Sequence, residues 1–247
     1  MILEARSVGF RYADGAPVLD DVSFGVTAGR SVALVGESAA GKTTLLRLLL
    51  GLRRPTSGTV LFSGRPLPTR HRAAQPFRRQ VQTVFQDPYS SLDPRQQVSR
   101  IVGEPLRALG FTDQAPRVAA ALDAVGLPAD AAERYPHEFS GGQRQRIAIA
   151  RAIAVEPTVL LADEPVSALD VSTKVRIIDL LAELRATRGL TLVMVSHDLA
   201  AVASLCDETV VLERGRVVEQ GPTREVLGSP RDAYTRRLIA SIPRLPS

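Results

Sequence analysis

The sequence predicts an α/β protein: a parallel sheet with helices on both faces, a small antiparallel β layer at its start, and an all-helical insert. Three observations predict it. An apolar run, Val32-Ala33-Leu34-Val35, leads through Gly36-Glu37-Ser38-Ala39-Ala40-Gly41-Lys42-Thr43 into the leucine-rich stretch Thr44 to Leu50, in the order strand, loop, helix. Two further apolar runs, Val159 to Ala162 and Leu190 to Val195, stop on polar residues, as buried parallel strands do at their C-terminal ends. Between residues 87 and 157 strand patterns disappear and helical periodicity replaces them.

The totals bound the possibilities. The chain has 247 residues, 45% hydrophobic and 23% charged, an ordinary globular composition for one large domain or two small lobes. No apolar run approaches the roughly 18–20 residues a bilayer span needs, and no signal-peptide pattern opens the chain, so the expected location is the cytosol. The single cysteine, Cys206, excludes an intramolecular disulfide and a cysteine metal cluster and is expected to be a small buried hydrophobe. The net charge of +5 is carried by arginine, since Lys42 and Lys174 are the only lysines. A basic balance raises nucleic acid or an anionic membrane as a partner. The arginines are scattered, however, with clusters only at Arg53-Arg54, Arg70 to Arg79 and Arg236-Arg237, and no base-stacking platform is visible among 4% aromatics. The charge reads as a solvated arginine-rich surface.

Taken in order, Ile2 to Arg6 and Val22 to Val26 alternate as antiparallel strands around the turn signal Ala13-Asp14-Gly15-Ala16-Pro17. Phe10 and Tyr12 end the first strand, where Tyr12 either caps a core edge or offers its face to a nucleotide base. Gly51 and Pro55 stop the helix that follows the glycine-rich loop. Gly58 to Gly64 is a short strand, residues 65 to 79 a Pro- and Arg-rich surface loop, and Val81 to Phe85 a strand ending on Gln86. Asp87 to Pro94 is dense in turn formers. Helices are expected over Val98–Leu109, Ala115–Val125 and Ala129–Tyr135. After Asp163-Glu164 a helix from Thr173 places Ile177, Ile178, Leu181 and Leu184 on one face. Thr209–Leu212 and Arg216–Glu219 form a hairpin, and Pro222 to Ser247 is mixed helix and Pro-rich tail.

The chemistry collects at one edge. The loop glycines let successive N–H groups converge on an anion, and the helix start adds about half a positive charge. Lys42 supplies a mobile full charge for terminal phosphates and Thr43 a hydroxyl for Mg²⁺. Lys42, Gln86, Asp163, Glu164 and His197 each fall just past the end of a different expected strand, where ligands bind in such sheets. Asp163 is placed to hold a Mg²⁺ shell, and Glu164, the next residue, to orient or deprotonate an attacking water. His197 after its apolar strand suits a hydrogen bond to a terminal phosphate or to that water, against the alternative of a satisfied core histidine. His71 and His137 have no such context. Ser140-Gly141-Gly142-Gln143 opens the helix Arg144 to Val155 and makes a second anion-binding N-terminus. One chain with two such ends but one phosphate loop suggests a dimer in which each copy completes the other's site.

Together these residues resemble the ATP-binding cassette (ABC) ATPase subunits of transporters over nearly the whole chain. The resemblance rests on the Walker A loop at 36–43, the Q-loop Gln86, the signature Phe139-Ser140-Gly141-Gly142-Gln143, Walker B at 159–164, the D-loop Ser167 to Asp170 and the switch His197. It implies a single P-loop NTPase (RecA-like) domain: a nucleotide-binding core over 1–86 and 158–225 with an antiparallel β subdomain, a helical lobe over 87–157, and a tail over 226–247. It implies ATP and Mg²⁺ as cofactors, with Tyr12 stacked on adenine, residues Gly36 to Thr44 around the phosphates, and Thr43, Gln86 and Asp163 at the metal. Catalysis falls to Glu164, His197, Lys42 and Gln86. Ser140, Gly141, Gly142, Gln143 and Asp170 meet nucleotide, with Ser140 reaching the γ-phosphate in trans.

A narrower resemblance is to the peptide/nickel (oligopeptide, dipeptide, nickel, metallophore) importer branch. It is carried by the extended Q-loop Phe85 to Arg95, Tyr135 to Phe139, Val217 to Pro222, and Tyr234-Thr235-Arg236-Arg237-Leu238. It implies two membrane permease subunits, a second ABC ATPase as partner, an extracytoplasmic substrate-binding protein reached indirectly, and a peripheral place on the cytoplasmic side of the membrane. Cargo would be peptide, nickel or a metal chelate, and no nucleic acid is expected; the alternative is a soluble ABC ATPase acting on nucleic acid or ribosomes. Among the departures, Ala39 and Ala40 occupy loop positions where Gly and Ser are common, and only small effects are expected because the backbone donors remain.

Overall fold

The computed structural model describes residues 1–13, 15–68, 73–87 and 91–241. In chain order its strands are β1 (Leu3–Arg11), β2 (Pro17–Val26), β3 (Ser31–Val35), β4 (Ser57–Phe62), β5 (Arg65–Pro66), β6 (Val81–Val84), β7 (Val159–Asp163), β8 (Thr191–Val195), β9 (Glu208–Glu213) and β10 (Arg216–Pro222). Its helices are α1 (Lys42–Leu49), α2 (Gln75–Gln80), α3 (Val98–Ala108), α4 (Gln114–Ala124), α5 (Gly141–Ile153), α6 (Val171–Arg188), α7 (Leu199–Leu205), α8 (Thr223–Gly228) and α9 (Ala233–Ala240). The chain forms two compact units, Met1–Pro68 with Leu192–Ser247, and Thr69–Thr191.

In the first unit an antiparallel layer runs in the order β2-β1-β4-β5. Strand β1 is long because it bends: its register shifts between Ala5 and Val8, where Ser7 adopts φ 47°, so its inward residues are Leu3, Ala5, Val8 and Phe10. A second run of strands, β10-β9-β3-β8, pairs β3 in parallel with both β8 and β9, while β9 and β10 form the expected antiparallel hairpin. Every residue of β3 and β8 is buried, which is why both read as unbroken apolar runs. Helix α1 buries Leu45, Leu46, Leu48 and Leu49 and stops where Gly51 takes φ 66°.

The second unit holds the parallel pair β6–β7, from Val81↔Val159 to Val84↔Ala162, and the helices of the expected insert. Ile101, Val102 and Leu106 of α3, Val118 and Leu122 of α4, and Ile147, Ile149 and Ile153 of α5 make its core. The segment expected as a third helix of the insert, Ala129–Tyr135, is instead a short 3-10 turn over Ala129–Glu133, and a second 3-10 turn, Pro136–Glu138, follows it. Helix α6 is capped by the Asp170 carboxylate and ended by Gly189 at φ 61°. It therefore starts two residues before Thr173, and its buried face is Ile177, Leu180, Leu181 and Leu184, with Ile178 only half-buried.

Part of the expected loop 65–79 is structured. Gln75–Gln80 is helical, with Pro76 in the first turn, where its missing N–H costs nothing, and Phe77 buried as the anchor. Within the turn-rich stretch 87–95, Pro88, Tyr89 and Ser90 lie outside the described residues, as do Asp14, His71 and the last six residues of the expected tail.

Candidate functional site

In the first unit the phosphate loop is moulded by its neighbours. Gly36 has φ 151°, and a Cβ there would lie 2.2 Å from the Leu212 carbonyl oxygen of β9. Gly41 has φ 101°, with Leu19 Cδ2 2.7 Å from where its Cβ would stand. Only glycine meets both conditions. The hairpin turn reaches the loop as well: Gly215 N–H donates to the Ala40 carbonyl at 3.0 Å, while the Gly215 carbonyl accepts from Asp20 N–H at 2.9 Å. Lys42, 7% exposed, donates through Nζ to the carbonyls of Gly36 and Glu37, both at 2.7 Å. Its ammonium thus sits on the loop's own backbone. Thr43 is exposed and Thr44 buried. Glu37, Ser38 and Ala39 are exposed, and Ala39 has φ 65°, a left-handed conformation costing a non-glycine residue roughly 1–2 kcal/mol.

Tyr12 lies by the same helix. Its hydroxyl is 3.3 Å from Thr44 Oγ1, a contact that holds its pKa below the ordinary phenol value, with Arg47 and Arg53 adding to the effect against burial. Tyr12 is 39% exposed, with the Phe10 ring perpendicular to its own at 4.8 Å between centroids and the Arg53 guanidinium 5.7 Å from its centroid. It presents a face for stacking while its edge is fixed. His197 is exposed just beyond β8, whose Val195 pairs with Leu34 at the end of β3 from which the loop springs. Its neighbours have structural duties: Ser196 Oγ accepts from Asp198 N–H at 3.0 Å, and Asp198 caps α7.

In the second unit the carboxylates sit at the end of β7. Asp163 is buried at 7% exposure. Glu164 follows at φ 46°, in the left-handed region that strains a non-glycine residue. Gln86, just past β6, donates from Nε2 to Glu164 Oε2 at 3.0 Å. That bond commits the amide nitrogen and leaves Oε1 as the acceptor end of the side chain.

The signature forms a capping box on α5: Ser140 N–H donates to Gln143 Oε1 at 2.9 Å and Gln143 N–H to Ser140 Oγ at 3.3 Å. Asp170 accepts from Thr173 N–H at 3.0 Å and from the hydroxyls of Ser172 and Thr173 at 2.7 Å, which holds its pKa far below the carboxylate range. The two helix starts adjoin, since a Cβ on Gly142 would stand 2.4 Å from Thr173 Cγ2. Gly142 and the Asp170 turn, 28 positions apart by numbering, are thereby brought together.

Sequence reasoning missed two loop contacts, those of Gly215 with Ala40 and of Tyr234, whose hydroxyl accepts from Glu37 N–H at 2.8 Å. It also missed Arg151 of α5, which donates to the Ser91 carbonyl at 2.5 Å. Tyr234 and Gly215 stood inside recognisable motifs or turns, but nothing local said what they touch.

A strand–loop–helix cradle with a buried lysine, and a strand ending on paired acids with a glutamine bonded to the second, define a P-loop nucleotide hydrolase. The chain belongs to the ABC transporter family, whose sequence profile matches residues 19–167. A putative peptide import ATP-binding protein of Brucella ovis is 46% identical over 230 residues, covering 92% of this chain and 73% of that protein. The glutathione import ATP-binding protein GsiA of Salmonella typhimurium is 48% identical over 91% of this chain and 37% of its own length. Among solved structures, cbiO1 from Clostridium perfringens, part of the ABC transporter complex cbiONQ, superposes with a TM-score of 0.84 at 31% identity, covering 92% of this chain and 91% of that one. The ATP-binding cassette MJ0796, in a dimeric post-hydrolysis state bound to ADP and Pi, does so with 0.79 at 28% identity, covering 90% and 99%. The chain is thus an ATP-binding, ATP-hydrolysing ABC cassette with the expected α/β fold. Among the described residues no helix is long and apolar enough to cross a membrane.

Proposed function

We propose that this cassette powers a multi-component importer, working as a dimer with a second ATPase on the cytoplasmic face of a membrane and driving two separate permease subunits. The observation that carries this reading is the likeness, across most of the chain, to proteins named for peptide and glutathione import. Peptide-type cargo is accordingly favoured, delivered by an extracytoplasmic binding protein, with nickel and metal chelates as the other members of the class. In the second unit, a cavity of about 560 Å³ opens on the helical lobe, lined by Gly103, Val118, Leu122 and Leu127 between Arg100 and Arg107. It suits an apolar segment of a permease.

The residues support the chemistry as follows. The loop amides and Lys42 bind the phosphates, and Tyr12 stacks on the base. The oxygen donors Thr43 Oγ1, Gln86 Oε1 and Asp163 match what Mg²⁺ prefers, and these residues would hold it; when bound, Mg²⁺ neutralises phosphate charge. Glu164 takes the proton of the attacking water, and His197 steadies the terminal phosphate. Ser140, Gly141, Gly142, Gln143 and Asp170 serve the partner's nucleotide. ATP contacts shared by two subunits exist only in the closed dimer, so ATP favours closure and hydrolysis releases it.

The test is isolation of the tagged chain from native membranes in mild detergent. Two multi-spanning permeases and a second ATPase in the same complex are expected. Recovery without permeases, with nucleic acid or ribosomes in their place, overturns the importer reading and leaves the ATPase standing.

A further inference from the structure

We infer that Tyr234, in the C-terminal helix α9, is a positioning residue for nucleotide binding: its hydroxyl sets the Gly36–Glu37 peptide of the phosphate loop and through it the resting place of Lys42. The inference rests on the ATP-binding reading of that loop.

Both polar ends of one peptide unit are engaged. The Gly36 carbonyl accepts from Lys42 Nζ at 2.7 Å, and the Glu37 N–H donates to Tyr234 Oη at 2.8 Å. A trans peptide is planar with its N–H and C=O directed oppositely, so fixing one end fixes the other. With Glu37 N–H held by Tyr234, the Gly36 carbonyl is held toward Lys42. Gly36, without a side chain, adds no brace of its own to that peptide.

The gripping group is itself immobilised. Tyr234 is 4% exposed, and burial pushes its phenol pKa up, so the hydroxyl stays neutral. Asp232 caps α9 through Tyr234 N–H at 2.7 Å and Thr235 N–H at 3.3 Å. Glu219 of β10 in turn accepts from the N–H groups of Arg231 and Asp232 at 2.9 and 3.1 Å. Arg237 pairs with Glu213 of β9 at 3.6 Å and lies 5.9 Å from the Tyr234 ring centroid. The helix is thereby clasped to the β9–β10 hairpin, whose turn residue Gly215 also reaches the loop at Ala40. Lys42 must leave the Gly36 carbonyl to meet phosphate. A peptide held in one orientation confines the lysine to a single starting position, and less disorder then has to be removed when nucleotide binds.

Tyr234→Phe keeps the ring and removes the hydroxyl. For the full-length chain, the expected result is roughly three- to tenfold weaker ATP binding and a KM raised in proportion, from the loss of one buried hydrogen bond. The kcat at saturating ATP should stay within about twofold. The Glu37 amide, followed by ¹⁵N NMR hydrogen exchange, should exchange faster. Arg236→Ala, which disturbs exposed contacts of the same helix without touching the loop, should leave KM unchanged. Lys42→Ala separates the two readings. If it binds ATP as the parent does, the nucleotide assignment of the loop fails. If it loses ATP while Tyr234→Phe binds normally, the Tyr234 inference alone is overturned. A Tyr234→Phe protein that loses kcat and melting temperature with KM unmoved has lost only structure, and that result also overturns the inference.

Discussion

Glu164→Gln isolates the catalytic assignment because the structure shows what the substitution preserves. Gln86 Nε2 donates to a Glu164 oxygen at 3.0 Å, and a glutamine at 164 still offers one carbonyl oxygen to that donor. Side-chain length and the strained backbone at φ 46° are unchanged. What disappears is the negative charge and the ability to take a proton. General-base catalysis contributes typically 10²–10⁴ in rate, or about 2.7–5.4 kcal/mol of barrier at 1.36 kcal/mol per decade. Phosphate release at saturating ATP should fall by that factor, with ATP affinity within about twofold of the parent. The ATP-bound dimer should persist in the variant. Glu164→Ala serves as the contrast, since it removes the Gln86 contact as well as the base. Turnover in Glu164→Gln within about threefold of the parent would show that another group activates the water, and the reasoning from β7 would fail.

Three further outcomes follow from the geometry. Gly36→Ala places a methyl 2.2 Å from the Leu212 carbonyl, so either β9 or the loop must shift; a cost of about 1–3 kcal/mol is expected in thermal or urea unfolding, together with lost ATP binding, and a parent-like variant contradicts the packing. Ala39→Gly relieves a left-handed residue at φ 65°, and after the extra chain entropy of glycine it should stabilise the protein by about 0.5–1 kcal/mol; equal or lower stability in denaturant titration counts against strain there. Burial of the Glu219 carboxyl opposes its ionisation, but the Arg231 and Asp232 N–H groups outweigh it and hold the pKa below 4.5. Stability from this clasp is therefore present above pH 4.5 and lost as pH falls through the lowered value, so Glu219→Gln should flatten the acid limb of melting temperature against pH.

The legible parts of the molecule are those whose signal is local. Buried parallel strands must be apolar on both faces, so β3, β7 and β8 stand out as apolar runs, and each candidate site residue at their ends is located by its run. The capping box of Ser140 and Gln143 spans four residues and is equally readable. Where the sequence misled, a local rule met a longer-range contact. Pro76 and its arginine neighbours read as loop, yet Pro is tolerated in a first helical turn and buried Phe77 holds the helix. Ile178 looked like core, but the helical repeat running through Ile177, Leu180, Leu181 and Leu184 leaves it on the flank of that face, half-buried, and buries Leu180 instead. Ala39 passed as neutral because identity does not reveal φ. The contact of Tyr234 with Glu37 joins positions 197 apart, and that of Gly215 with Ala40 joins a hairpin turn to a loop through backbone atoms alone. Backbone donors carry no residue-specific mark. A loop whose anchor is an amide N–H therefore advertises its glycines and lysine in sequence, while the groups that hold it in shape emerge only when the chain is folded.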